Sequence, residues 1–341
     1  MAEAVYYFSK DSFIIKPLKK TSPLLHRMIL LIFSMICGVY IVSICVRQIS
    51  RIQIEEVQTI EGPFPTRAVI EITVPLLHYP MPKTFNRSEC AQNPVRLFAI
   101  LSMQRSGSGW FEALLNSHTN LSSNGEIFSS WERRQNISSI IQTLDRVYNL
   151  DWFSSAAKNE CSAAVGFKWM FNQGLMEHHK DIVEYFNRRG VSAIFLFRRN
   201  LLRRMVSVLS NSYDRYAKLL NGTHKSHVHS EQEASMLSTY KPLINSTSLI
   251  TDLKEMEEST ARVMSYFNST RHIVLYYEDL IRNRTKLEDV QEFLKLPVRE
   301  LTSSQVKIHK GSLPDLISNW NEVHSALNGT VYKDFINDPD Y

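Results

Sequence analysis

The chain has 341 residues, of which 44% are hydrophobic and 21% charged, and a formal net charge of +5. That is ample material for a core, in one large domain or two small ones, with the composition of an ordinary globular protein. A charge surplus of this size does not argue for nucleic acid; its distribution along the chain says more.

Residues 1–27 form a short basic tail, expected to be poorly ordered. Met28 to Val46 is a run of nineteen residues without a charge, just long enough to span a bilayer core as a helix. Lys16, Lys19, Lys20 and Arg27 precede it and hold the N-terminus in the cytoplasm, although Arg47 and Arg51 weaken the asymmetry. No small-residue cleavage site follows, so the run reads as an uncleaved signal anchor; the competing reading is a buried core helix. Residues 47–94 contain Pro63, Pro65, Pro75, Pro80, Pro82 and Pro94, a density that prevents long helices and reads as a stem. Asn-x-Ser/Thr sequons start at Asn86, Asn120, Asn136, Asn221, Asn245, Asn268, Asn283 and Asn328. All eight lie after the apolar run, which fits a C-terminal part facing the secretory lumen. Cys37 and Cys45 fall inside the apolar run, leaving Cys90 and Cys161 on the luminal side, where an oxidising compartment favours pairing them.

A folded domain is expected over 95–325, followed by a tail at 326–341. Strand and helix patterns alternate: a strand at 95–101, a helix at 109–117, a helix at 137–148, and a strand at 163–170. A helix over 175–189 comes next, with Gly190 as its C-cap, then the clearest buried strand at 191–198 and a helix from Leu201 to about Tyr213. A long helix at 251–267, a strand at 272–277 and a short helix at 287–294 complete the series. This order predicts an α/β fold, a mainly parallel sheet with helices on both faces, in which ligands collect at the carboxyl ends of the strands. Residues 214–248 break the pattern. They are polar and include His224, His227 and His229, but no cysteine or acidic residue has metal-ligand spacing with them. A solvated loop is expected there, or part of an acceptor-binding rim.

Two stretches carry chemistry. The strand Leu97-Phe98-Ala99-Ile100-Leu101 runs into Ser102-Met103-Gln104-Arg105-Ser106-Gly107-Ser108-Gly109-Trp110 and then a helix. A strand, a tight turn and a helix N-terminus make an anion site: backbone N–H groups point outward, glycines permit close approach, and Arg105 adds a permanent charge. The G-x-x-x-x-G-K-[ST] spacing of nucleotide hydrolases is absent, and an ordinary Gly/Ser turn is the competing reading. The second stretch is the end of the strand Ala193-Ile194-Phe195-Leu196-Phe197, which runs into Arg198-Arg199-Asn200-Leu201-Leu202-Arg203-Arg204-Met205-Val206-Ser207. An arginine fork at a strand tip, with a hydroxyl eight residues on, suits a terminal phosphate; an exposed basic helix face is the plainer alternative.

A strand followed by Arg-Ser-Gly-Ser-Gly-Trp, and a second strand ending in Arg-Arg-Asn with serine eight residues after the second arginine, resembles the sulfotransferase family, most closely its carbohydrate and Nod-factor-type members. The resemblance implies a P-loop NTPase-like three-layer fold and the co-substrate 3′-phosphoadenosine 5′-phosphosulfate. It implies that Arg105, Ser106, Gly107, Ser108, Gly109 and Trp110 hold the 5′-phosphosulfate, and that Arg199 and Ser207 hold the 3′-phosphate. His309-Lys310-Gly311-Ser312 followed by Asn319-Trp320 is similar to the segment that closes over the 3′-phosphate, with histidine in place of arginine, so Lys310 and Gly311 carry over. In Phe167-Lys168-Trp169-Met170, Lys168 can stabilise charge on the leaving phosphate, while Met170 cannot accept a proton. Glu126 lies where carbohydrate-type relatives carry their base, so Glu126, Lys168 and Arg105 are the expected catalytic residues.

The implied reaction is in-line sulfuryl transfer to a hydroxyl of a carbohydrate or glycoconjugate acceptor, with no metal and no nucleic acid, by a single-pass type II protein of the Golgi membrane. Two rivals remain at this point. A luminal glycosyltransferase shares the topology, but the only Asp-x-Asp triplet is Asp338-Pro339-Asp340 at the extreme C-terminus. A non-catalytic nucleotide- or glycan-binding protein of the same fold is the other.

Overall fold

The computed structural model describes residues 75–154 and 161–337, all within the unit Ile70–Tyr341. The apolar run 28–46, the basic tail, the first part of the stem, and Asp338 and Asp340 lie outside the described residues. Among the described residues no helix is long and apolar enough to cross a membrane.

The sheet is built from β1 (Arg96–Ser102), β2 (Leu121–Ser123), β3 (Ala164–Gly166), β4 (Lys168–Met170), β5 (Ser192–Phe197) and β6 (His272–Tyr276). Its order is β2-β3-β1-β5-β6, with β4 also paired to β1, and every pairing is parallel. β3 and β4 act as one strand. Arg96 stands opposite Ala164 and Ile100 opposite Lys168, so the register continues without slip past Phe167. The expected single strand at 163–170 is therefore present, interrupted only where Phe167 gives its carbonyl to the Ile100 N–H at 2.9 Å.

β1 and β5 are the apolar runs that the sequence marks as buried on both faces, and all of β5 and all of β1 beyond Arg96 are buried. Their side chains divide by parity. Leu97, Ala99, Leu101, Phe195 and Phe197 pack into one core, and Phe98, Ile100, Ile194 and Leu196 into another. The first core is covered by α2 (Ile137–Tyr148), α3 (His179–Arg189), α4 (Leu201–Ala217) and α6 (Leu249–Tyr266); α5 is Glu231–Ser238. The second is covered by α1 (Ser108–Ser117), the short α7 (Tyr277–Arg282) and α8 (Thr285–Phe293). Helices on both faces of a parallel sheet give the three layers expected.

The chain leaves β1 for β2 at one edge, returns through β3 and β4 beside β1, and then crosses to β5 on the other side. The reversal of direction at β1 opens a crevice at the carboxyl ends of β1, β4 and β5.

Both ends of the described chain are more closely packed than a stem and a tail. His78 forms an antiparallel bridge with Val95, and its Nε2 lies 2.8 Å from the Arg189 carbonyl. Leu76 sits against Gly190, which ends α3 with φ 61° as the C-cap pattern predicts. Cys90 and Cys161 are bonded, with their Cα atoms 5.2 Å apart, and tie this entry segment to the approach to β3. At the other end, α9 (Leu313–Leu316) and α10 (Trp320–Leu327) lead to Tyr332, whose hydroxyl donates to Glu257 at 2.8 Å. Prolines limit the 75–94 segment to one 3-10 turn, Ser88–Cys90, but do not prevent its packing, which is why composition alone reads it as stem.

Candidate active site

The turn after β1 enters α1 through two left-handed residues, Arg105 at φ 64° and Gly107 at φ 84°. Such a turn aligns successive N–H groups toward one side. Gly107 is the N-cap of α1 and offers no side-chain cap, so the first-turn N–H groups remain for an anion. Gly107, Ser108, Gly109 and Trp110 line a cavity of about 680 Å³. The glycines have a second reason to be there. A Cβ on Gly107 would meet the Tyr277 ring at 2.2 Å, and one on Gly109 would meet the His227 ring at 2.2 Å. Ser106 is fully buried with its Oγ unpartnered, so it supports the turn from behind and does not line the cavity.

The two motifs converge. Arg105 Nε donates to Ser207 Oγ at 2.9 Å, across 102 residues of sequence, and its Nη1 donates to the Ser226 carbonyl at 2.7 Å. This follows from topology: β1 and β5 are neighbours, so the turn after one and the helix after the other share a crevice. Asn200 caps α4 by accepting from the Arg203 N–H at 2.9 Å, which fixes the helix that carries Ser207.

The strand tip needs a correction. Arg198 lines the cavity, with its guanidinium 5.3 Å from the Tyr277 ring centre and its Nε 3.9 Å from the buried Glu278. Arg199 points elsewhere. It is exposed, lies 3.8 Å from the Tyr276 ring centre, and pairs with Asp279 at 2.6 Å. Successive residues of an extended chain face opposite sides, so only one arginine of an adjacent pair enters a given cavity. The third motif is displaced in the same way. Lys307, Ile308 and His309 reach the cavity, whereas Lys310 pairs with Glu231 at 2.7 Å and the Gly311 carbonyl accepts from Arg203 at 3.1 Å.

The expected catalytic group comes together. Lys168, buried on β4, lies 3.8 Å from Glu126, and both line the cavity with Arg105. Gln173 donates to Glu126 Oε1. Sequence reasoning missed Glu112. Its Oε1 accepts from Ser123 Oγ at 2.6 Å and from the Gly125 N–H at 2.9 Å, and its Oε2 lies 3.4 Å from Lys168 Nζ. The available signal was a carboxylate on the buried face of α1, beside Phe111 and three residues before Leu115.

The 214–248 region also departs from a solvated loop. α4 continues to Ala217 and α5 occupies Glu231–Ser238. The strap between them, pinned by the buried Leu220 and Val228, brings Ser226 and His227 to the cavity wall. His224 pairs with Asp214 at 2.6 Å and His229 with Ser304 at 2.9 Å. Among the described residues no group of three or more metal-ligating side chains is arranged to hold an ion.

Charge decides what the cavity accepts. Arg105, Lys168, Arg198, Arg215 and Lys307 line it against the single carboxylate of Glu126. A concave site with that imbalance concentrates a polyanion.

Residues 97–320 match the sulfotransferase domain family, a range that includes every residue of this cavity. The chain belongs to the sulfotransferase family. It is 25% identical over 249 residues to nodulation protein H of Rhizobium meliloti, covering 71% of this chain and 95% of that protein. Among solved structures, a sulfotransferase from Alicyclobacillus acidocaldarius is 12% identical, over 72% of this chain and 96% of that one, with a TM-score of 0.37. A mouse sulfotransferase complexed with PAP is 15% identical, over 70% and 77%, with a TM-score of 0.33.

The positive field of this sulfotransferase site acts on its own histidines. Loss of hydration, followed by the charges of Arg105, Arg198 and Lys307, lowers His309 to about 4. His227, open to the cavity on one side, is lowered to about 3 by desolvation and by Lys168, Arg105 and His229. Arg105 itself is lowered to about 10 by burial and by Arg198, and stays charged at neutral pH.

Two outcomes follow for the enzyme. Glu112→Gln keeps the acceptor oxygen but removes the charge facing buried Lys168, and is expected to cost about 2–4 kcal/mol in urea unfolding; a change within about 0.5 kcal/mol would remove Glu112 from this role. The histidines make the folded state bind fewer protons than the unfolded one between the ordinary value of 6.5 and about 4. Their contribution is therefore present above pH 6.5 and lost progressively as pH falls toward 4. A melting temperature that falls less steeply over this range in the His227→Gln, His309→Gln double variant is the expected result; an unchanged slope would exclude both residues as the cause.

Proposed function

We propose that this sulfotransferase takes the sulfuryl group of 3′-phosphoadenosine 5′-phosphosulfate and transfers it to a hydroxyl of a carbohydrate acceptor by in-line displacement. The observation that carries the reading is the contact between Arg105 and Ser207, which joins two anion-binding motifs in the wall of one cationic cavity. A molecule with phosphate at two positions suits two such motifs, and about 680 Å³ lies within the usual range for ligand sites. The α1 N–H groups and Arg105 are assigned to the phosphosulfate. Arg198, with Ser207, is assigned to the 3′-phosphate in place of Arg199.

Glu126 takes the acceptor proton. It is half-buried at the cavity wall and held in place by Gln173. Lys168, with Glu112 behind it, presents its charge where the bridging oxygen becomes negative. His227 stays neutral beside them and accepts or donates one hydrogen bond without adding to the field.

Calorimetry with adenosine 3′,5′-bisphosphate tests the donor assignment on the full chain. Arg198→Ala is expected to weaken binding by about ten- to a hundredfold, Arg199→Ala by less than about threefold, and Glu126→Gln to bind normally while losing more than about a hundredfold in turnover. Absence of binding by the wild type would overturn the reading, and equal losses at Arg198 and Arg199 would undo the choice between them.

We further propose a type II protein of the Golgi membrane, with the enzyme domain luminal. Support comes from the apolar run 28–46, from the Cys90–Cys161 bond, and from the sequons. Seven of the eight acceptor asparagines are exposed, and Asn120 is half-buried. At Asn136, Asn245 and Asn283 the side-chain oxygen accepts a local hydrogen bond, which leaves the nitrogen available for a glycan. Removal of N-glycans should shift the protein expressed in a eukaryotic cell to lower mass, in material protected from protease in intact vesicles; unglycosylated, protease-sensitive protein would exclude the topology.

A further inference from the structure

On the surface that begins after Glu126 in the chain are three arginines and two tryptophans that the reaction chemistry does not use. The chain following Glu126 runs through two short 3-10 turns, Ile127–Ser129 and Trp131–Arg133. Trp131 is 65% exposed, far more than an indole on an ordinary surface needs to be. The Arg134 guanidinium lies 5.7 Å from the Trp131 ring centre. The guanidiniums of Arg133 and Arg146 both lie over Trp152, at 4.8 Å and 5.4 Å from its ring centre.

These three cations have no carboxylate partner among the described residues. The nearby carboxylates are turned away or stand alone. Asp151 accepts from the Lys83 and Thr84 N–H groups at 2.7 and 3.1 Å and from Asn149 at 2.6 Å. Asp145 accepts from the Tyr185 hydroxyl at 2.7 Å. Glu132, on the same turn as Trp131, is exposed and forms no ion pair. Stacking on indole holds a guanidinium flat while leaving its N–H edge directed outward.

The cluster is anchored to the Glu126 side of the cavity at two points. Arg133 Nη1 donates to the carbonyl of Ile127, the residue after Glu126, at 2.8 Å. Arg134 Nη1 donates at 3.1 Å to the carbonyl of Asn172, which lines the cavity. A ligand lying on Arg133 and Arg134 would therefore adjoin the backbone on either side of the cavity wall that carries Glu126.

We propose that Trp131, Arg133, Arg134 and Arg146 form an acceptor subsite for an acidic oligosaccharide, in which Trp131 stacks on a sugar ring and the arginines take anionic groups of neighbouring sugars. The proposal rests on the reading of Glu126 as the acceptor-side base. A flat, exposed indole fits the C–H face of a pyranose, and unpaired guanidinium edges fit carboxylate or sulfate esters. An acidic peptide would satisfy the arginines but would need an aromatic or proline side chain at the right place to cover the indole.

The test is calorimetric, on the full chain saturated with adenosine 3′,5′-bisphosphate. Four probes are compared: hexagalacturonate, its carboxyl-reduced neutral counterpart, a sulfated dextran hexamer, and an acidic hexapeptide containing tyrosine. At least one anionic sugar should bind about tenfold more tightly than the neutral one, and which one does identifies carboxylate or sulfate as the group recognised. Arg133→Ala with Arg134→Ala should abolish that preference, Arg146→Ala alone should reduce it, and Trp131→Ala should weaken neutral and acidic sugars alike. Equal binding of acidic and neutral sugars, a preference that survives the double variant, or tighter binding of the peptide would each overturn the proposal. Binding of adenosine 3′,5′-bisphosphate is measured in every variant. Its retention shows that the fold and donor site are intact, and its absence in the wild type would be a failure of the donor reading, distinct from a failure of this one.

Discussion

Five cations around one cavity repel one another, and the structure must hold them together without neutralising them. It does so largely with neutral groups. Arg105 donates to a serine hydroxyl and a backbone carbonyl, Arg198 lies over Tyr277, and Arg204, just outside the wall, donates to the Gln104 carbonyl at 2.9 Å. Lys168 and Arg198 are the exceptions, and the carboxylates concerned, Glu112 at 3.4 Å from Lys168 and Glu278 at 3.9 Å from Arg198, both sit outside the cavity lining. A carboxylate placed among the arginines would fix them equally well but would cancel the potential that an anionic donor needs. Arranging hydrogen bonds to neutral acceptors keeps geometry and charge together, and this requirement explains why the site draws on the turn after β1, the β5 tip, α4 and the strap at once.

The same field governs the histidines. A protonated imidazole at position 227 or 309 would add a charge to a site already rich in them, so both are held neutral well below physiological pH. A neutral ring can lie directly on Gly109 at the mouth of α1, where a cation would be repelled by the positive end of the helix. The substitution of histidine for the arginine expected before Lys310 fits this picture. His309 occupies the cavity wall without a charge while Lys307, two residues earlier, supplies one.

What was legible in the sequence is what depends on local pattern. Long apolar runs announced β1 and β5, and β6 was clear from His272 to Tyr276; a parallel sheet followed from the alternation with helices. Arg105, Lys168 and Ser207 could be singled out because each lies at or shortly after a recognisable strand, whereas Glu126 was singled out only through the family resemblance. Two of the departures share one physical origin, side-chain direction at the point where regular structure stops. Arg198 and Arg199 are indistinguishable in composition, and only the frame of the strand decides which faces the crevice. The same holds for Lys307 against Lys310. β2 is three residues long, too short for any periodicity, yet it places Gly125 and Glu126. The strap that carries His227 is polar in sequence because its outer face is solvated, while two buried residues, Leu220 and Val228, determine where it lies.

Glu112, Lys168 and Glu126 form a sequence of charges whose balance would change during turnover by the proposed mechanism. In the resting enzyme Lys168 is shared by two carboxylates, at 3.4 and 3.8 Å. In the proposed mechanism, uptake of the acceptor proton by Glu126 would remove one of these charges, leaving the positive charge of Lys168 less compensated as the leaving phosphate gains its negative charge. On that proposal, proton transfer at one end of the cavity would strengthen the electrostatic stabilisation at the other, with no movement of the lysine. Glu112 makes this workable: were Glu126 the sole partner, its protonation would leave a buried ammonium unpaired, a cost of several kcal/mol. A carboxylate behind the lysine lowers that cost while leaving the cavity face of the ammonium open, and its second oxygen, bound to Ser123 and Gly125, fixes the turn on which Glu126 stands.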